Sequence, residues 1–410
     1  MNILVIGLNY APEPVGIGPY TTGMAEALAD AGHRVTVVCA RPYYPSWSVP
    51  IAHRGRRARR YSEQGVTVVR LPIYVPAKPD GPRRLLHHLS FVAAAIPAVI
   101  AEARRRRPDV VVAVAPSLLS SVVARGAARL LGVPLWLHVQ DFEVEAVFAT
   151  GLLSGKSLLG GLLSRLAQGF ERWSFGADRV STISPQTCAR LAGRGVALRK
   201  IIELRNWAAV DEIVPLSEAS AYRAEWGIDR PHVAVYSGSI ANKQGLGLIV
   251  AAAQRLQHRR DLAFVICGEG PQRAAIMAAA AGLDNIQFHA LQPRERLSDL
   301  LGLASVHLLP QIAGAADLLL PSKLTNMLAS GRPVVATAAS GTGLAQEVEG
   351  CGIVTAPGNA DAFAAAIERL VDDPQLGARL GQEGRRRAEE RWSQSQILGR
   401  FERQLRELVA

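Results

Sequence analysis

The sequence predicts an α/β protein of two Rossmann-like domains facing each other across a cleft. Three observations carry that expectation. The chain opens with an apolar run, Ile3 to Ile6, followed by a Pro- and Gly-rich loop and a helical stretch, Tyr20 to Ala29. The same unit returns about half a chain later. Val233 to Tyr236 leads into a polar loop with Ser237-Gly238-Ser239 and Asn242-Lys243-Gln244-Gly245, then into Leu246 to Leu256. Elsewhere short Val/Ile/Leu runs alternate with helical stretches, which is the signature of a parallel sheet with crossover helices. Open parallel sheets bind ligands outside the carboxyl ends of their strands. The first loop of each unit is therefore expected to line a site.

Ile3 to Ile6 is too short for a helix and is bounded by Gly7, so it reads as a buried strand. Pro19 suits the first turn of the next helix, where its missing N–H costs nothing. Gly16 and Gly18 then lie just ahead of a helix N-terminus. Glycine lets the backbone approach a ligand closely, and the free N–H groups favour an anion.

With 410 residues, 49% hydrophobic and 20% charged, the chain has room for two or three globular cores. It shows no unbroken apolar run of the ~20 residues that span a bilayer. Met1 leads almost directly into a strand, without the pattern of a signal peptide. Cys39, Cys188, Cys267 and Cys351 are scattered and form no CxxC. They read as buried apolar residues in a reducing cytoplasm, and no metal site is expected.

The net charge of +11 is uneven: residues 1–207 carry +13 and the remainder −2. The densest basic runs are Arg54 to Arg60 and Arg104 to Arg107. Such a face suits nucleic acid, an anionic membrane or a phosphorylated substrate. No aromatics interleave with these runs and no recognition helix or zinc finger accompanies them, which argues against nucleic acid.

In chain order, further strands are expected at Arg34 to Cys39, Val66 to Leu71, Val110 to Val114, Leu135 to Val139, Arg179 to Ile183 and Lys200 to Leu204. The loop Arg41-Pro-Tyr-Tyr-Pro-Ser-Trp47 sets aromatics in a proline frame, suited to stacking on a sugar or to packing. Arg54 to Tyr61 reads as a solvated basic segment. Arg83 to Arg107 is a long helix, kinked at Pro97. Either it is a core helix with a solvated tail, or its apolar face meets a bilayer with arginines on the headgroups. His138, Asp141, Glu143 and Glu145 cluster after a strand's carboxyl end and form a candidate site. Leu152 to Phe175 is helical, and Ser184-Pro185 starts another helix.

An N-terminal domain of residues 1–207 is expected, with a linker from Trp207 to about Leu216 and a second domain over 216–392. The second domain should have strands at Phe264 to Cys267, Ile286 to His289, Val306 to Leu309 and Val334 to Ala336. Ser322 and Lys323 should start a helix that ends at Gly331. A last amphipathic helix, residues 393–410, is expected to pack back on the first domain.

Here the motifs meet a family. The segments GLNYAPEPVGIGPYTTGMAEALADAGHRVTVVCARPYYPSW, WLHVQDFE, SGSIANKQG and LPSKLTNMLASGRPVV resemble glycosyltransferases of the GT-B type, family 4. Within it they resemble the WcaI-type enzymes of colanic acid and related exopolysaccharide synthesis. The resemblance spans essentially the whole chain. It implies transfer of a sugar from a nucleotide-sugar donor to a lipid-linked, polyprenyl-diphosphate glycan, with retention of configuration. The donor would bind mainly the C-terminal domain. Lys243 matches the family's diphosphate-contacting lysine, and Ser239 stands where many members carry a companion arginine. Gly268 and Gly270 match a loop near the nucleotide, and the peptide around Leu291 and Leu297 matches the base pocket. Gly16 and Gly18 match the N-terminal loop that closes over the donor phosphate. The family's glutamate pair is missing: aligned on Gly331-Arg-Pro333, its positions hold Leu318 and Asn326. Asp317 is the stand-in for the first, and Ser322 with Lys323 looks like a compensating phosphate site.

Glycosyl transfer needs the leaving diphosphate stabilised. The chain has no DxD motif, so lysines and helix N-termini are expected to do this without a metal or other cofactor. His138 or Asp141 would orient a sugar or acceptor hydroxyl. The expected partners are the nucleotide sugar, the lipid-linked acceptor and the anionic inner surface of the cell membrane. Competing readings are a nucleotide-sugar epimerase or a non-catalytic nucleotide-sugar binder. A dinucleotide reductase would need G-x-G-x-x-G, which Gly16, Gly18 and Gly23 do not supply. A two-lobed solute-binding protein would need a secretory signal.

Overall fold

The computed structural model describes residues 1–13, 16–115, 118–140, 165, 168–208, 210–241, 244–312 and 322–410. Two compact units form, Met1–Asn206 with Ile397–Ala410, and Trp207–Gln396. Each is a Rossmann-like parallel sheet covered by helices.

The first unit holds eight strands: β1 Asn2–Gly7, β2 Arg34–Ala40, β3 Arg59–Glu63, β4 Val66–Leu71, β5 Val110–Ala115, β6 Leu135–Val139, β7 Arg179–Thr182 and β8 Ile201–Glu203. Their order is β3-β4-β2-β1-β5-β6-β7-β8. All neighbours are parallel except β3 with β4. β1 lies between β2 and β5, with Ile3 opposite both Val35 and Val110. That central place explains why the run is apolar on both faces. The helix α1, Gly18–Asp30, follows β1 and buries Thr21, Met24, Ala25 and Leu28.

Arg54 to Tyr61 is solvated as expected, but its end also forms a strand that the sequence reading did not include. Residues 59–63 form an antiparallel edge strand, with Arg60 opposite Val69 and Tyr61 opposite Val68. Their side chains stay largely exposed. Arginines on an edge strand keep it from pairing with another chain, so the basic composition that hid the strand also suits its position.

The helix α2 spans Gly81–Arg105 with Pro97 inside it. Asp80 caps it, its carboxylate accepting from the Arg83 N–H at 3.0 Å. One face buries His87, Phe91, Ala95, Val99 and Glu102. The opposite face leaves Leu85, Leu86, Leu89, Ile96 and Ile100 exposed. The helix is thus a core helix on one side, as one of the two readings expects, and carries an apolar surface on the other. Among the described residues it alone is long and apolar enough, by length and composition, to cross a membrane. The helix α3, Ser120–Leu131, packs beside it and ends on Gly132 at φ 64°. The C-terminal helix Gln394–Val409 buries Ile397, Leu398, Phe401 and Leu405. Phe401 meets Trp136 edge-on at 5.0 Å, and Glu402 lies 2.8 Å from the His33 ring.

The second unit is all parallel: β9 His232–Ser237, β10 Leu262–Cys267, β11 Ile286–His289, β12 Val306–Leu309, β13 Val334–Thr337 and β14 Gly352–Thr355. Their order is β11-β10-β9-β12-β13-β14. β14 was not expected. Its four residues carry only two large apolar side chains between one glycine and a threonine, too weak a pattern to read. The stretch read as a linker buries Val210 and Ile213 in this unit's core. Arg385 Nη1 donates to the carbonyls of Val210, Ile213 and Ala329 at 3.1, 2.6 and 2.8 Å. The expected helix Leu152 to Phe175 lies mostly outside the described residues.

Candidate functional site

In the second unit the loops after β9 and β10 cross at van der Waals limits. A Cβ on Gly268 would lie 1.9 Å from the Gly238 carbonyl oxygen, and one on Gly270 would lie 2.3 Å from that of Ile240. No side chain fits at either position. The crossing is hydrogen-bonded: Gly238 N–H donates to Cys267 O at 2.9 Å, and Ile240 N–H to Glu269 O at 2.8 Å. The two glycine loops found separately in the sequence are therefore one structure at the carboxyl edge of the sheet.

Lys323 reaches this crossing from the first turn of the helix Ser322–Ala329. Its Nζ lies 2.5 Å from the Tyr236 hydroxyl and 3.3 Å from Gln244 Oε1. The Tyr236 hydroxyl donates in turn to the Ser239 carbonyl at 2.6 Å. Burial raises the Tyr236 pKa, so the phenol stays neutral and keeps that proton. A Cβ on Gly238 would meet Lys323 Nζ at 3.0 Å. Ser239, Gly268, Gly270 and Lys323 are thus brought together, with a cation at a helix N-terminus.

Other expected donor residues are placed less closely. Asn326 is half-buried, one turn along from Lys323. Leu291 is 65% exposed, and Leu297 packs against the unit's core. Ser322 opens the helix. Lys243, Asp317 and Leu318 lie outside the described residues.

In the first unit Gly16, Gly18 and the loop after β2 meet around Glu13. This carboxylate is 4% exposed. It accepts from Asn9 Nδ2 at 2.8 Å and from the N–H groups of Tyr43 and Tyr44 at 2.9 and 3.0 Å. Burial raises its pKa and the three donors oppose the rise. Gly16 has φ +74°, and a Cβ there would lie 3.1 Å from the Tyr44 ring; one on Gly18 would lie 3.0 Å from Glu13 Cβ.

His138 is the second-last residue of β6 and is 1% exposed. Its Nδ1 lies 2.9 Å from Ser181 Oγ and its Nε2 2.9 Å from Gln140 Nε2. Gln140 and Asn206 exchange two amide hydrogen bonds, both 2.9 Å. Burial pushes the imidazole down to about 4, so it is neutral near pH 7. With both nitrogens engaged, a proton transfer by this ring would first have to break one of these bonds. Asp141, Glu143 and Glu145 lie outside the described residues. Among the described residues no group of three or more His, Cys, Asp or Glu side chains could hold a metal ion.

Two family models match the chain. Residues 15–207 match the glycosyl transferase 4-like domain, and residues 219–387 match the glycosyl transferases group 1. The colanic acid biosynthesis glycosyl transferase WcaI of Escherichia coli (strain K12) is 40% identical over 380 residues, 90% of this chain and 92% of that one. The chain belongs to the family 4 glycosyltransferases. Solved GT-B structures share the fold. Sucrose-phosphate synthase from Thermosynechococcus elongatus superposes with a TM-score of 0.67 at 19% identity, covering 100% of this chain and 99% of that one. HepE of Anabaena, in complex with UDP, does so with 0.68 at 18% identity, covering 99% and 100%.

The sequence reading of this glycosyltransferase missed Glu13, Tyr236, Gln244 and Gln311. Gln311 follows β12 and is 8% exposed; it exchanges backbone hydrogen bonds with the Thr337 hydroxyl at 2.7 and 2.8 Å. One signal was available for Glu13: an acid between prolines in an otherwise apolar, glycine-rich loop. Tyr236 carries no such signal, because it reads as one more apolar strand residue.

Proposed function

We propose that this glycosyltransferase moves a sugar from a nucleotide-sugar donor to a polyprenyl-diphosphate-linked glycan in exopolysaccharide synthesis, at the inner face of the cell membrane. The observation that carries the donor half is Lys323 at the Gly238–Gly268 crossing. A cation and a helix N-terminus, fixed where two glycine loops expose their backbone, suit a leaving diphosphate. The HepE structure with UDP-glucose supports a nucleotide sugar as the donor. Lys243, Asp317, Ser322 and Asn326 are proposed to complete this half, with Leu291 and Leu297 beside the base. The Gly16–Gly18 loop, at the N-terminus of α1, is proposed to bind phosphate.

With lysines stabilising the leaving group, transfer proceeds without a metal. Retention of configuration follows the family reading and requires no covalent nucleophile here. Asp141 is proposed to orient the reacting hydroxyl, while neutral His138 contributes through Gln140 and Asn206. The acceptor half rests on α2, whose exposed apolar face lies between Arg83-Arg84 and Arg104 to Arg107. That arrangement suits a helix lying in a membrane surface.

Incubation with a panel of nucleotide sugars and a polyprenyl-diphosphate-linked acceptor tests the reading. Transfer of one sugar to the lipid-linked product is expected. Epimerised nucleotide sugar, or binding without turnover, would replace it with another function.

A further inference from the structure

The 41–47 loop exposes one aromatic ring beside the glycine loop. Tyr43 is buried, whereas Tyr44 is 38% exposed. Both residues donate their backbone N–H groups to the same oxygen of Glu13. The Tyr44 ring lies against Gly16, where no side chain could fit without pressing on it. Glu13 thus holds the backbone from which the half-exposed ring projects, and that ring packs beside Gly16.

The same loop is tied to the start of α2. Tyr43, Trp47 and His87 form a ring cluster, with centroid separations of 5.4, 4.6 and 5.4 Å. The Arg84 guanidinium carbon sits 5.4 Å over the Trp47 ring. Beyond Arg84 on the helix come the exposed Leu85, Leu86 and Leu89. One stretch of the first unit therefore offers an aromatic platform, a cation and an apolar helix face. That sequence of chemistries matches a sugar, a diphosphate and a prenyl chain.

We propose that Tyr44 is the platform on which the acceptor's sugar rests, that Glu13 positions it, and that Arg84 meets the acceptor's diphosphate. The assignment rests on the lipid-linked acceptor reading above. A hexose presents an apolar C–H face that packs on an aromatic ring, and a guanidinium pairs well with phosphate oxygens. Tyr44 acts through its ring face, so its hydroxyl is dispensable. Glu13 touches no substrate and is a positioning residue.

The test uses two acceptors with one sugar head, a polyprenyl-diphospho-glycan and the octyl glycoside of the same sugar. Circular dichroism and thermal unfolding check that each variant is folded. Tyr44→Ala is expected to raise the KM for both acceptors about tenfold, the scale of losing one well-packed aromatic contact, with a smaller change in kcat, while Tyr44→Phe restores the wild-type value. Arg84→Ala is expected to raise the KM for the diphosphate acceptor alone. Glu13→Ala should resemble Tyr44→Ala, and Glu13→Gln, which keeps an acceptor oxygen for the two N–H groups, should restore binding. Unchanged acceptor KM in Tyr44→Ala, or equal losses in the Ala and Phe variants, would overturn the platform. If wild-type enzyme uses only the octyl glycoside, the lipid-linked reading and the Arg84 role both fall. The Tyr44 result on that glycoside still decides the platform. Should Glu13→Ala fail to fold, failure of Glu13→Gln to keep the wild-type KM would overturn the positioning role.

Discussion

The ammonium of Lys323 stands 2.5 Å from the Tyr236 hydroxyl and 4.3 Å from the centre of the same ring. The phenol cannot donate to the lysine, so its proton goes to Ser239 O and its oxygen accepts from Nζ. The tyrosine thus aims the lysine at the loop it also holds. Removing the cation should cost more than removing its guide. Lys323→Ala is expected to weaken nucleoside diphosphate binding about tenfold to a hundredfold, since a charge-assisted contact contributes roughly 1.5–3 kcal/mol. Tyr236→Phe should weaken it by less than about tenfold, because the charge remains. Lys243→Ala is expected to match Lys323→Ala. Calorimetric titration with UDP and GDP measures all three, and unchanged affinity would remove the residue concerned from the donor site.

Most strands were legible because each buried run, such as Val110 to Val114, is apolar and too short for a helix. β3 was not, because an edge strand needs only backbone partners and its arginines mimic a solvated loop. Within the site the sequence showed the glycines but not their meeting. Gly268 is required by Gly238, thirty residues away, and that is a property of β9 pairing with β10. Lys323 was visible as a helix-start cation, whereas its partner Tyr236 was hidden in a strand. Glu13 was passed over because its role depends on the backbone of Tyr43 and Tyr44, which only the folded loop brings near.

Transfer is expected to survive a strong chelator. In the proposed donor site, Lys323 at a helix N-terminus takes the part a metal would have in neutralising a diphosphate. Activity should be within about twofold with and without EDTA, a change of under 1 kcal/mol in barrier. Complete loss in EDTA, restored by Mg²⁺ or Mn²⁺, would refute metal independence.

Acid should destabilise both units through buried histidines. His138 in the first unit and His307 in the second are fully buried, and burial pushes them down to about 4 and about 3. An unfolded imidazole titrates near 6.5. Below that pH the unfolded chain binds protons that the fold refuses, so stability present above about 6.5 is lost as pH falls towards 4 and 3. At about 1.4 kcal/mol per unit, each histidine costs roughly 3 kcal/mol by pH 4. Thermal unfolding at pH 7.5, 6.5, 5.5 and 4.5 should show falling midpoints. His307→Gln, which can still reach the Ser330 hydroxyl now 3.0 Å from Nε2, should flatten the dependence. A slope unchanged by that substitution would place the acid sensitivity elsewhere.

Asp141→Asn is expected to lower turnover by about tenfold to a hundredfold, while nucleotide affinity stays within about twofold. The motive is its place in the sequence just after β6, in the half of the chain that does not carry the proposed donor site. Normal turnover in a folded variant would shift the role to the Gln140–His138 pair.

Membrane attachment is the prediction on which the acceptor reading depends most. Leu86, Leu89, Ile96 and Ile100 recur at three, seven and four residues, so they share one stripe of α2. The stripe is exposed, while Phe91, Ala95 and Val99 on the other side belong to the core. Leucines and isoleucines left about half exposed beside a filled core face contribute less to folding than buried ones and leave apolar area for a surface. Arginines sit at both ends, and residues 1–207 carry +13 against −2 for the rest. Each basic residue near an anionic surface contributes about 1 kcal/mol, and salt screens the attraction. The protein should therefore float with phosphatidylglycerol vesicles, float far less with phosphatidylcholine alone, and be mostly released by high salt. Residual binding should come from the apolar stripe and vanish in Leu86→Ser with Leu89→Ser. Charge reversal at Arg83 and Arg84 should weaken flotation and transfer to the lipid-linked acceptor together, while UDP or GDP binding is retained. Equal flotation on both lipids would discard the electrostatic term. No flotation on either would discard the membrane surface and leave the stripe to some other partner. A parallel fall in nucleotide binding would show that the arginines serve the fold instead.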